Sequence, residues 1–223
     1  SAPVSKLRAH PAAADFPGAV PADAPRVAAT ISVDTSTPDW ASTGLYAAPG
    51  EALEVTLPPG AEKAGLWLRI GPHTDTNWHH DRWTRFPEIS YAAPLKQQVT
   101  RYGSPFGGLV YIVVPEGCKL GSVEVTIKGA VEAPLFVQGK TPLHIWRSQI
   151  RKRPAPWAEL ATSKIILTLP SSVVRELDDP ESLMAVWDHG LDCIADLAAI
   201  PRDRPRPERI CCDRQISAGY MHS

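Results

Sequence analysis

The sequence predicts a mostly β chain whose second half turns α+β: an antiparallel β-sandwich followed by a strand-helix-strand unit. Three observations predict it. Prolines number 23 in 223 residues, about twice the ordinary share. Proline interrupts helices and central strands, so long helices cannot dominate. Between Val27 and Val137, apolar and polar residues alternate in short runs set between turns, the period of half-buried strands. After Gly139 the apolar spacing changes to that of a helix.

Residues 1–26 are rich in Ala and Pro and carry no apolar period. They read as an extended lead-in that Phe16 and Val20 pin to a neighbouring surface. Strands are predicted over 28–33, 52–57, 65–70, 108–114 and 122–128. Leu53, Val55 and Leu57 alternate with Glu54 and Thr56, and Val123, Val125 and Ile127 with Glu124 and Thr126. The run LVYIVV from Leu109 is apolar throughout and suits a strand buried on both faces. Turns at Pro58-Pro59-Gly60 and Pro115-Glu116-Gly117 separate these runs. Repeated half-buried strands with no helix between them point to the sandwich, spanning 27–138.

From 139 a second unit begins. Thr141 is placed to cap a helix that Pro142 opens, with Leu143, Trp146, Arg147 and Ile150 on one face. A strand follows over 164–169. The clearest helix starts at Asp178 or Asp179 with Pro180 as its first residue. Its predicted buried stripe is Leu183, Trp187, Leu191, Ile194 and Ala198, and Pro201 stops it. A last strand is expected over 209–216.

Composition excludes several function classes. Hydrophobic residues make up 43% and charged residues 21%, which fits a globular chain and excludes wholesale disorder. Lys and Arg total 23 against 24 Asp and Glu, so no global footprint for nucleic acid appears. The longest apolar run is far short of the roughly 18 residues a membrane span needs. Four cysteines (Cys118, Cys193, Cys211, Cys212) are too few for a disulfide scaffold. The chain opens on Ser1 without a signal peptide, and so reads as processed or as a piece of something longer.

Candidate chemistry is sparse. His73, Asp75, His79, His80 and Asp81 crowd GPHTDTNWHHDRW, and imidazole with carboxylate can bind zinc. The spacing, however, does not put two ligands on one helical face, and a polar loop is the simpler reading. Trp78 and Trp83 flank it; exposed indoles stack on sugars, so Trp78, His79 and Trp83 are candidates for a glycan or weak metal contact. The basic run Arg147, Arg151, Lys152, Arg153 complements a helix end. Cys193 reads as a small buried thiol. G-x-S-x-G, Walker, G-x-G-x-x-G, C-x-x-C and His-Glu-x-x-His patterns are all absent.

Seven segments together resemble the enhancin-like, mucin-degrading zinc metallopeptidase family: STGLYAAPGEALEV (42–55), LRIGPHTD (68–75), RWTRFPEIS (82–90), SPFGGLVYI (104–112), APLF (133–136), APWAELATSKIILTLPS (155–171) and DRQISAGYMHS (213–223). They occur in the family's order and span nearly the whole chain. The resemblance implies that the sandwich precedes the opening of a thermolysin-like (gluzincin) catalytic domain, and that residues 139–223 are part of its upper lobe, truncated before the zinc helix. It implies a secreted, cell-surface or periplasmic parent that binds zinc and hydrolyses O-glycosylated, mucin-like proteins. The present 223 residues, lacking His-Glu-x-x-His, are expected to bind no zinc and to be inactive alone. Their partners are then the O-glycosylated substrate and the remainder of the catalytic domain, with no nucleic acid and no membrane span. Their role is to position substrate beside an edge strand, with Tyr220 and His222 as candidate substrate-binding residues. The alternative is a non-catalytic glycoprotein-binding module or a regulatory scaffold like the animal channel-associated factors.

Overall fold

The computed structural model describes residues 6–219. The chain forms two compact units, one of Ser1–Glu132 with Asp213–Ser223 and one of Ala133–Cys212. The second unit therefore begins earlier than residue 139, because the segment just after Glu132 already pairs in the second sheet. Residues 213–219 belong to the first unit, where continuous membership of the second was expected.

Among the described residues the first unit holds eight strands: β1 (Val27–Asp34), β2 (Asp39–Ala47), β3 (Ala52–Thr56), β4 (Trp67–Ile70), β5 (Tyr91–Pro94), β6 (Val99–Gly103), β7 (Gly108–Val114) and β8 (Ser122–Glu132). They are hydrogen-bonded in the order β5-β4-β7-β2-β8-β3-β6, with β1 also on β8, and every pairing is antiparallel. The five predicted strands are all present. β2, β5 and β6 are additional.

The long strand β8 organises this unit. It pairs with β3 up to Lys128, with β1 up to Ala130 across a register shift between Val27 and Ala28, and with β2 at Val131 and Glu132. The shift falls at Gly129, whose φ is +86° and where a Cβ would lie 2.9 Å from the Ala52 carbonyl oxygen. Only glycine takes that conformation and that approach without strain. Leu53 and Val55 of β3, Leu68 and Ile70 of β4, Val110 and Ile112 of β7, and Val125 and Ile127 of β8 meet in one apolar core. The lead-in joins this unit. Phe16 is buried, a single turn of 3-10 helix spans Pro11–Ala14, and the His10 amide donates to the Pro105 carbonyl at 2.8 Å.

The second unit contains β9 (Leu135–Val137), α1 (Leu143–Ser148), β10 (Trp157–Ala161), β11 (Ile165–Pro170), α2 (Ser171–Val174), α3 (Pro180–Leu197) and β12 (Glu208–Cys211). Its sheet runs β12-β11-β10-β9. The β10–β11 hairpin is antiparallel, while β9 and β12 join it in parallel. Phe136, Trp146, Leu160, Leu167, Val174 and Met184 form its core. The Trp146 indole N–H donates to the Leu177 carbonyl at 2.7 Å, which satisfies the one polar atom that burial would otherwise orphan.

Three details differ from expectation. Thr141 does not cap α1: Pro142 holds the cap position, and the Thr141 hydroxyl accepts from the Val137 amide at 2.9 Å. The buried face of α3 is Pro180, Met184 and Ala195, whereas Leu183, Trp187 and Ile194 are exposed. The reason is polar: the Thr162 hydroxyl donates to Asp188 at 2.6 Å and Lys164 pairs with Asp192, so two aspartates face the β10–β11 turn. Cys193 is exposed, not buried, because it lies off that face. The expectation for Asp179 and Pro180 matches the structure, since the Asp179 carboxylate accepts from the Ser182 amide at 3.0 Å.

Candidate functional site

The loop of residues 71–90, between β4 and β5, carries most of the singled-out polar residues. It does not stand open. It grips residues 213–217 of the returning segment, within the first unit.

Asp213 is the centre of the grip. Its carboxylate accepts from Arg85 Nε at 2.8 and 2.9 Å and from His73 Nε2 at 2.7 Å. The Arg85 side chain is fully buried and that of Asp213 is 2% exposed. Burial pushes the Asp213 carboxyl up, but the hydrogen bonds from His73 and Arg85 and their charges outweigh it and hold the group below the ordinary aspartate value. His73 Nδ1 accepts from the Asp75 amide at 3.2 Å, so in the neutral ring the proton sits on Nε2, facing Asp213.

Further contacts hold the backbone that follows. Asn77 donates to the Gln215 carbonyl at 3.1 Å. His79 Nε2 lies 2.7 Å from the Ser217 carbonyl and His80 Nε2 3.0 Å from that of Ile216; a carbonyl only accepts, so both imidazoles donate. The Asp75 carboxylate accepts from the Ser217 amide at 2.7 Å. The Gln215 side chain accepts from the Thr84 amide at 2.9 Å and donates to the Arg82 carbonyl at 2.9 Å. Arg214 reaches the Asp15 carboxylate at 2.6 Å. Sequence reasoning missed Arg85, Asn77, Asp213 and Gln215 as members of this group. The available signal was that Arg85 lies in segment 82–90 and Asp213 and Gln215 in segment 213–223, both of which carry the family resemblance; Asn77 lies in none of them.

The residues do not fit a metal centre. Among the described residues no group of three or more His, Cys, Asp or Glu side chains is arranged to hold an ion. The imidazole nitrogens that would ligate are instead donating to the 213–217 segment. The loop therefore does not fit the zinc implied for the parent, and its polar side chains tie it to the 213–217 segment. Tyr220 and His222 lie outside the described residues.

The loop's outer side is aromatic. Trp78 and Trp83 are 52% and 51% exposed and meet edge to face, with centroids 5.4 Å apart. Trp78 rests on Phe86 and Phe86 on the buried Phe106. The basic clusters are engaged internally. Arg151 pairs with Asp178, Arg202 with Asp196 and Arg204 with Glu208. Arg209 pairs with Glu159, which is buried beside Thr168 in the four-stranded sheet.

Comparison with known proteins decides the family. The profile of the N-terminal domain of M60-like peptidases matches residues 22–128. That of peptidase M60, enhancin and enhancin-like, matches residues 129–223. The chain belongs to the M60-like, enhancin-like peptidases. It is 45% identical over 197 residues to TRPM8 channel-associated factor 2 of Bos taurus, covering 87% of this chain and 22% of that protein. The chain thus spans about a fifth of that relative's length. Among solved structures it resembles the ZmpB metallopeptidase from Clostridium perfringens, with 14% identity, a TM-score of 0.57, and coverage of 77% of this chain and 41% of that one. It also resembles the IMPa metallopeptidase from Pseudomonas aeruginosa, with 16% identity, a TM-score of 0.61, and coverage of 90% and 27%. An IMPa structure in complex with T-antigen gives 17% identity, a TM-score of 0.62, and coverage of 96% and 28%. These structural likenesses are of mostly β, largely antiparallel folds with few helices. No helix among the described residues is long and apolar enough to cross a membrane.

Proposed function

We propose that this chain is part of a secreted or cell-surface zinc metallopeptidase that cleaves O-glycosylated, mucin-like proteins, and that its share of the work is to position substrate. The observation that carries this reading is the peptidase M60 match over 129–223. The T-antigen in the related IMPa complex favours an O-glycosylated substrate. In this reading the first unit is an antiparallel sandwich, supported by β8 serving two groups of strands around one core. The second is the opening of a thermolysin-like upper lobe, with β9 and β12 as the outer strands of its sheet. The grip of the 71–90 loop on 213–217 then fixes the chain just before Tyr220 and His222, which orient substrate or a developing oxyanion. Zinc in the parent would be held by a His-Glu-x-x-His helix, a pattern that does not occur in these 223 residues.

The 45% identity to a TRPM8 channel-associated factor favours a second reading, a regulatory scaffold that keeps the fold without hydrolysis. One experiment separates the two. A longer polypeptide containing this chain is analysed for zinc and incubated with an O-glycosylated peptide and its unglycosylated twin, with products read by mass spectrometry. The peptidase reading expects about one zinc per chain and cleavage of the glycosylated peptide that a chelator abolishes. Absence of both zinc and cleavage supports the scaffold.

A further inference from the structure

We propose that Trp78 and Trp83 form a carbohydrate-stacking platform that takes one galacto-configured sugar ring on the outer side of the 71–90 loop. Two of the chain's seven indoles stand half in water on one loop, although tryptophan is on average a strongly buried residue. They are held in place. The Trp78 N–H donates to Glu88 at 3.3 Å, its ring meets Phe86 edge to face at 5.6 Å, and Phe86 packs on Phe106 at 4.7 Å. An aromatic column thus runs from the core to the surface and presents Trp83 at its end. A ligand meeting these rings need not first order them, which removes part of the cost of binding.

Size and chemistry choose the occupant. Two half-exposed indoles offer on the order of 200 Å², while a stable protein interface takes about 800 Å² from each partner. No other large hydrophobic residue of the loop is exposed, so the patch is one sugar ring wide. His79, Asp81 and Arg82, neighbours of the two indoles in sequence, are exposed; the Asp81 carboxylate accepts and the Arg82 guanidinium donates to hydroxyls, while His79, whose Nε2 donates to the Ser217 carbonyl, offers Nδ1 as an acceptor. With the two rings at 87°, one indole forms a floor and the other a wall. In a galactopyranose the axial O4 leaves the C3, C4 and C5 hydrogens together on one face. Those polarised C–H groups fit the electron-rich face of an indole. The platform rests on the geometry alone, and the galacto configuration rests on the proposal of an O-glycosylated substrate.

The test uses the 223-residue chain with methyl β-galactopyranoside and methyl α-mannopyranoside as probes, read by saturation-transfer NMR and tryptophan fluorescence. Saturable binding of the galactoside in the millimolar range is expected, with transfer strongest to its C3, C4 and C5 hydrogens. Trp83→Ala, at the outer end of the column, is expected to weaken it at least tenfold with an unchanged melting temperature. Trp67→Ala, which removes a 44% exposed indole on β4, is expected to leave it unchanged. If the galactoside shows no saturable transfer, or Trp83→Ala binds as the parent chain does, the platform is overturned. Equal binding of the mannoside overturns the galacto assignment. Cleavage by the longer polypeptide is measured separately, so loss of the platform and loss of the peptidase reading give different results.

Discussion

At Asp213 a carboxylate that is 2% exposed faces a fully buried guanidinium. Removing one member of a buried pair leaves the other charge uncompensated, which costs about 3–5 kcal/mol. Asp213→Ala is therefore expected to destabilise the first unit by that amount in urea denaturation. The same group sets an acid sensitivity. Its native pKa lies below that of an unfolded aspartate, so its contribution is complete above about pH 4 and is lost as pH falls through the lower native value. Stability measured from pH 7 to pH 2 should fall along this limb in the parent chain, and Asp213→Asn should remove that share of the fall. A full-sized acid limb in Asp213→Asn would show that other carboxylates carry it. At this scale the sequence revealed the imidazoles and carboxylates of 73–81 but not their partners. Asn77 and Gln215 bond across 138 residues of chain, and no local spacing reports a contact that distant.

Among the elements, α3 separates what pattern reveals from what packing decides. Its start was legible because Asp179 and Pro180 form a local signal. Of its buried face only Leu191, which packs against the core, was legible, because two aspartates on the inward side serve the β10–β11 turn and apolar residues remain outside. Met184→Ala is accordingly expected to cost about 2–5 kcal/mol. Ile194→Ser, on the 57% exposed side, should stay within about 0.5 kcal/mol. Asp179→Ala should cost about 1 kcal/mol through loss of the cap. Chemical denaturation of the three variants checks all of these. A large loss at Ile194 with none at Met184 would restore the predicted stripe. β2 escaped sequence reading for a different reason. Its register against β7 shifts between Ser42 and Tyr46, where Gly44 takes φ +67°, and such a bulge breaks the period of two by which strands are recognised.

For the molecule as a whole, the chain's return at Asp213 joins its last described residues to the first unit. The change of period near 139 falls inside the second unit, which begins at Ala133, and a sequence pattern carries no sign that a segment will return. In the proposed function, this return lets the 71–90 loop set the position of Tyr220 and His222, and through them the substrate. The most direct measurement is cleavage of an O-glycosylated peptide by the longer polypeptide carrying Asp213 or Asp213→Asn, with zinc content and native fold confirmed in both. If the grip positions substrate, turnover falls at least tenfold, about 1.4 kcal/mol in barrier, at unchanged zinc content. Turnover within twofold of the parent would contradict that role and leave the grip a purely structural tie.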